Sequence, residues 1–307
     1  MSALIGVNLR PNLFMKKIVE SYKQRLASED GWVLKRGCQL RIALCYPNVY
    51  SIGMANLGFQ AMYEIFNGIP DVSCERVFLP DNGKSSRGGS GYDQARGRGT
   101  ESLDVMLEYE RTRTPLLSLE SQTKVRGFDV IAFSISFETD YVNMARMLQM
   151  SGVPVWSKDR TVHDPLIVMG GASSFLNPEP IAEFTDVIGV GEGEILGPKL
   201  VDIIFEKETR EKILLALAQQ GRGFYVPSLY EVKYKDDDTI ASYTPVAEGV
   251  PARVGRAVSA ENPKEGSLRR AIRRQQTDIV AQLKREEVFA PSTTIFAPQA
   301  EMGERFL

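Results

Sequence analysis

Three places in this 307-residue sequence combine small and polar residues in a way that could hold a ligand. One is the loop-like run PNVYSIGMANLG at 47–58. Another is the pair Ser134 and Ser136. The last is a glycine set, Gly170, Gly171, Gly189, Gly191 and Gly193. Each directly follows an apolar run, and continuous apolar runs predict strands buried on both faces in a parallel sheet. Glycine at a strand end lets a ligand or the next helix approach the backbone. In open α/β sheets ligands lie at the carboxyl ends of the strands. Taken singly, each motif is weak, because tight turns use Gly and Ser for conformational reasons alone. Gly191 and Gly193 do not complete the spaced-glycine dinucleotide pattern. Glu192 and Glu194 suit a helix N-terminus but would repel a pyrophosphate, which counts against NAD.

Other chemistries are excluded by type and spacing. The GKSS at 83–86 lacks the earlier glycine of a phosphate loop, because that position is Phe78. Cys38, Cys45 and Cys74 are odd in number and match no zinc or iron–sulfur ligand run. Cys45 reads as a small buried hydrophobe. The single histidine, His163, sits in a polar stretch and reads as loop, so no metal ligand and no catalytic residue is assigned. A net charge of −2 gives no electrostatic case for nucleic acid. No apolar stretch is long enough to span a bilayer and no signal peptide is recognisable, so the expected compartment is the cytoplasm.

The elements that must position these residues follow from periodicity. Asn12–Leu26 carries a helical stripe. Strands are expected at Leu40–Tyr46, Val72–Leu79, Phe128–Phe137, Leu166–Met169 and Asp186–Val190, with Val153–Trp156 a short strand or a loop. Helices are expected at Leu57–Phe66, Glu101–Arg111, Tyr141–Met150, Ile195–Glu206 and Glu211–Gln219. The Met-rich face of Tyr141–Met150 reads as core filler. Alternating strand and helix predicts an α/β fold with a parallel sheet and right-handed crossovers. Asp81–Thr100 is rich in Gly, Arg and Ser and reads as a flexible insertion. From Phe224 the texture changes to a β-hairpin, FYVPSLYEVKY and TIASYTPV, followed by an extended piece at Gly249–Val258. Asn262–Arg274 reads as basic loop and Gln276–Glu287 as helix. The expected domains are a helical segment at 1–39, an α/β domain at 40–220 and a β-rich extension with linker at 221–307.

Taken together, RIALCYPNVYSIGMANLGFQAMYEIFN, ERVFLPD, GFDVIAFSISFETDY, IVMGGASSFLNPEPIAEFTDVIGVGEGE and YVPSLYEVKY resemble the N-terminal half of radical SAM proteins with a cobalamin-binding domain. The nearest resemblance is to a bacterial subgroup whose first domain begins with a YP…GMSNLG-like segment. It covers most of residues 40–258, and TTIFAPQAEMGERFL resembles the segment preceding the radical SAM barrel. The resemblance implies a flavodoxin- or Rossmann-like sheet with helices on both faces, plus a small β-rich C-terminal extension. It implies cobalamin as cofactor, its nucleotide tail in a slot lined by Ser134 and Ser136 beside Gly170 and Gly171, with Gly191 and Gly193 as the adjoining wall.

In that family a following barrel carries CxxxCxxC, which holds a [4Fe–4S] cluster that cleaves S-adenosylmethionine. This sequence has no CxxxCxxC, so the expectation is a domain split or truncated from its barrel and not catalytic alone. The barrel, as a subunit or downstream segment, is the expected partner. Residues 47–58 also lack the DxHxxG motif, so histidine ligation of cobalt from this loop is excluded. The alternative is a non-enzymatic platform with an empty pocket. Surfaces at Tyr225–Tyr234 and Ile295–Leu307, built to meet a barrel, are expected to be exposed and to promote self-association.

Overall fold

The computed structural model describes residues 2–81, 105–237 and 239–258. The expected insertion beyond Asp81, the start of the helix at Glu101 and everything expected after Val258 lie outside these residues. The chain forms an α/β fold. In chain order its strands are β1 (Leu40–Val49), β2 (Val72–Leu79), β3 (Val130–Ser134), β4 (Leu166–Gly170), β5 (Val187–Gly189), β6 (Phe224–Tyr225), β7 (Tyr230–Tyr234) and β8 (Ile240–Pro245). The main sheet has the order β2-β1-β3-β4-β5-β6. Its first five strands are parallel, in the order of flavodoxin-like folds, and the chain reverses its course between β1 and β3.

Side chains alternate between two helical layers, as the pleat requires. Ile42, Leu44 and Tyr46 of β1 face a core with α3 (Leu57–Gly68), α7 (Gly193–Glu206) and α8 (Arg210–Ala218). Ala43 and Cys45 face the opposite core, with α1 (Ser2–Ala27), the helical residues 105–112 (α4) and α5 (Tyr141–Ser151). Two short helices, α2 (Tyr50–Gly53) and α6 (Ser173–Leu176), follow β1 and β4. The Met144 and Met147 side chains are buried core, as their helical spacing predicts.

Of the two alternatives for Val153–Trp156, the structure shows the loop. Gly152 ends α5 in a left-handed conformation (φ 71°), and Val153 then returns its N–H to the Leu148 carbonyl. Phe224–Tyr225 does not open the hairpin but joins the main sheet antiparallel to β5, so the sheet is mixed. The hairpin itself is β7–β8. It is held to the sheet by tyrosines: the Tyr243 hydroxyl donates to that of Tyr225, and Tyr230 stacks on Tyr243 with ring centroids 4.9 Å apart. Tyr225, expected at an exposed surface, is therefore buried.

The two ends of the sheet are finished differently. At the amino edge, Asp129 accepts from the Arg41 N–H at 2.8 Å, and Asp164 pairs with Arg126 at 2.8 Å. There too Asp186 pairs with Arg210 at 2.5 Å and Arg160 at 3.1 Å. The outer side of β2 is covered rather than left as a free edge. Asn67 exchanges two hydrogen bonds with the Cys74 backbone, and the Leu119 N–H donates to the Arg76 carbonyl.

Arg76, wholly buried on β2, is the centre of an ion cluster. Its Nε donates to Glu120 at 2.6 Å and its Nη2 to Glu29 at 2.7 Å. Replacing Arg76 by Met would leave two buried carboxylates without their cation. We expect a loss of about 3–5 kcal/mol in urea unfolding. Adding Glu29→Gln and Glu120→Gln should recover part of it. A loss under roughly 1 kcal/mol for the single variant would show the cluster to be solvated and dispensable.

Candidate functional site

The carboxyl ends of β1, β3 and β4 form one edge, and the reversal of strand order puts its crevice between β1 and β3. The loop after β1 is shaped by two short elements. Helix α2 turns the chain back, and Asn56 caps α3 by accepting from the Phe59 N–H at 2.9 Å. The same Asn56 side chain donates to Ser136 Oγ at 3.1 Å. One residue therefore starts a helix and ties the β1 loop to the β3 loop across the crevice.

The six residues expected from sequence fall into two groups. Ser134 pairs with Gly170 across β3 and β4. Ser136 and Gly171 lie on the loops just beyond, so these four share one stretch of the edge. Gly170 faces open space where a side chain would stand. Gly171 is enclosed. It has φ 110°, and a Cβ there would collide with the Ile135 backbone. That closeness lets the Ile135 N–H donate to the Gly170 carbonyl and the Ser173 N–H to the Ile135 carbonyl.

Gly191 and Gly193 are not on this open stretch. A Cβ at Gly191 would strike Ala257, whose backbone exchanges hydrogen bonds with Val190 and Glu192 at 3.0 Å. A Cβ at Gly193 would strike the Met62 sulfur, and Gly197 one turn later also faces Met62. These two glycines of α7 allow close packing against α3.

Several residues of the edge carried no functional signal in sequence. Asn48 and Asn56 lie inside the 47–58 run but were not singled out. Asp140 was missed altogether, and the clue available was the acidic pair Glu138 and Asp140 between strand three and its following helix. It is buried, with Asn48 Nδ2 3.5 Å from its carboxylate, and burial raises its pKa. Nearby, Asn143 donates to the Pro47 carbonyl at 3.0 Å. The Tyr141 hydroxyl donates to the Asn177 carbonyl at 2.9 Å beside the buried Ser173 hydroxyl. Large apolar side chains on the same segments remain exposed: Ile52, Leu57, Phe137, Val142 and Leu176, the last 72% exposed. They sit on the segments following β1, β3 and β4. His163 lies on the exposed loop before β4, away from this edge.

The cysteines do not fit an iron–sulfur cluster. Cys45 and Cys74 are buried on opposite faces of the sheet, and burial raises both thiols well above their ordinary pKa. Among the described residues no group of three metal-ligating side chains comes together. None of the described helices is long and apolar enough to cross a membrane.

Residues 100–227 match the family described as radical SAM proteins, N-terminal. No curated protein and no solved structure matches the chain. The matched stretch includes α4 and everything from there to β6, and contains all six residues expected from sequence, while the Asn56 loop lies outside it. The match associates the chain with radical SAM proteins, a family that in general uses S-adenosylmethionine and an iron–sulfur cluster.

The buried Asp140 gives this edge a pH signature. A carboxyl whose folded pKa is raised binds its proton more tightly in the folded state. Its contribution is present below the unfolded value, about 4, and is lost as pH rises through the folded one. Asp140→Asn should therefore raise the melting temperature at pH 7, with the difference vanishing below roughly pH 4. A lower melting temperature for the variant at pH 7 in scanning calorimetry would contradict this.

Proposed function

We propose that this chain is the cobalamin-binding part of a radical SAM protein, with the corrinoid lying across the carboxyl edge of the sheet. The observation that carries the reading is the set of exposed apolar side chains, Ile52, Leu57, Phe137, Val142 and Leu176, on the segments that follow β1, β3 and β4, the strands whose ends carry Ser134 and Gly170. A large planar ligand with apolar faces and amide-bearing rims is complementary to such a border. Gly170 and Ser134 would lie beneath it, and Ser136 and Asn56 would offer hydrogen bonds to its amides. The Asn56–Ser136 contact closes the crevice, so a nucleotide tail entering between β1 and β3 would have to part it. The family match supports the radical SAM association.

The described residues hold no cluster. The thiolates for reductive cleavage of S-adenosylmethionine would have to come from outside these 307 residues, either a partner chain or further sequence.

A second reading has its own observation. Gly171, Gly191 and Gly193 are each accounted for by packing, which is what a platform without a ligand would show. One titration separates the two. Visible absorbance of hydroxocobalamin with the pure protein should saturate with Kd on the order of 10 μM. Phe137→Glu and Leu176→Glu should each weaken it about tenfold without lowering the melting temperature. An absence of saturation at about 1 mM would leave the platform reading in place.

A further inference from the structure

Three asparagine side chains span the crevice between β1 and β3. From the β1 side, Asn56 Nδ2 donates to Ser136 Oγ at 3.1 Å, and Asn48 Nδ2 lies 3.5 Å from the Asp140 carboxylate. From the β3 side, Asn143 on α5 donates to the Pro47 carbonyl at 3.0 Å. Each contact joins the segment after β1 to the segment after β3. Open α/β sheets take their ligands into this crevice. Here it is bridged by the chain itself.

We propose that these asparagines form a latch that sets corrinoid specificity: the edge accepts the ring and leaves the nucleotide tail outside. The inference rests on the corrinoid reading of this edge. A neutral hydrogen bond alone shifts an equilibrium by only about fivefold. The latch is held by more than its own bonds. The Asn56 oxygen caps α3 by accepting from the Phe59 N–H at 2.9 Å, so withdrawing this side chain from Ser136 disturbs the start of a helix. Ser136 is fixed from the other side. Gly171 packs on the Ile135 backbone, and the Ile135 N–H donates to the Gly170 carbonyl at 2.8 Å. Below the latch, side chains occupy the space on both faces of β1. Tyr46 meets Phe59 edge-on with ring centroids 5.5 Å apart, and Ile135 and Met144 are wholly buried on the opposite face. An entering tail would have to break the bonds of Asn56 and Asn143 and then open packed interior. With the tail outside, its benzimidazole stays on the cobalt, and a corrinoid without a tail binds as well as one that has it.

Titration of the full chain with hydroxocobalamin and with aquahydroxocobinamide, the same ring without the tail, tests this. The two dissociation constants should agree within about threefold. After reduction to cobalt(II), bound cobalamin should keep the nitrogen splitting from its own benzimidazole in the electron paramagnetic resonance spectrum. Ser136→Leu fills the mouth of the crevice and should leave the ratio of the two constants unchanged. If that variant does not fold by circular dichroism, Asn143→Leu serves the same purpose. The latch alone is overturned if cobalamin binds and cobinamide is weaker by more than about threefold. Loss of the nitrogen splitting on binding, or a changed ratio in a folded crevice-filled variant, also overturns it. Binding of neither corrinoid up to about 1 mM overturns it together with the corrinoid reading.

Discussion

The edge that the family association makes interesting depends on one buried cation. Arg76 takes Glu120 on its Nε and Glu29 on its Nη2. Glu29 in turn accepts from the Tyr50 hydroxyl, and Arg76 Nη1 lies 3.3 Å from the Met54 sulfur. Tyr50 opens α2 and Met54 closes it, so the cluster grips both ends of the turn that follows β1. Two residues later Asn56 caps α3 and reaches Ser136. The path from an edge strand, through the segment after α1, to the crevice is thus continuous. A guanidinium among carboxylates without water is stable only when its donors are satisfied, and here the fork's geometry fixes the partners in space. Rigidity of the β1 loop is a consequence of charge burial rather than of local propensity.

The glycines that drew attention in sequence divide by what lies against them. Gly171, Gly191 and Gly193 each stand where a neighbouring backbone or side chain leaves no room for a Cβ, while Gly170 stands before open space. A glycine required by packing and a glycine kept clear for a ligand look alike in one dimension. The distinction depends on Ile135, Ala257 and Met62, each of which is distant in sequence from the glycine it packs against. Only Gly170 of the set has the geometry of a contact surface, and it adjoins Ser134 through strand register.

The order of strands and helices was legible because it rests on periodicity. Ile42, Leu44 and Tyr46 alternate with Ala43 and Cys45 between two cores, and the continuous apolar run encodes that double burial directly. What was not legible depends on long-range pairing. The antiparallel place of Phe224–Tyr225 is decided by partners at Ile188 and Gly189. Two residues are too short to carry a pattern. Asp140 likewise reads as an ordinary polar residue between elements, and its burial follows from the packing of α5 against β1. The surface around Tyr225–Tyr234 was expected to be exposed, but Tyr225 is buried in the main sheet, where the Tyr243 hydroxyl donates to its own.

The asymmetry between the two ends of the sheet is the strongest physical pointer to where function sits. Asp129, Asp164 and Asp186 each come just before a strand at the amino edge. Each is occupied, by a backbone N–H or by an arginine. That edge has its polar groups paired within the chain. At the carboxyl edge the strands end in Ser, Gly and short loops, and the apolar side chains there are left in water. Exposing Phe137, Val142 and Leu176 costs solvation that the fold had many positions to avoid. Trp156 and Val162 before β4 are exposed too, but those at the carboxyl edge follow three neighbouring strands, and such a set is accounted for when something covers it. The glycines and serines set how close it comes, and the Asn56–Ser136 contact decides whether it lies across the crevice or enters it.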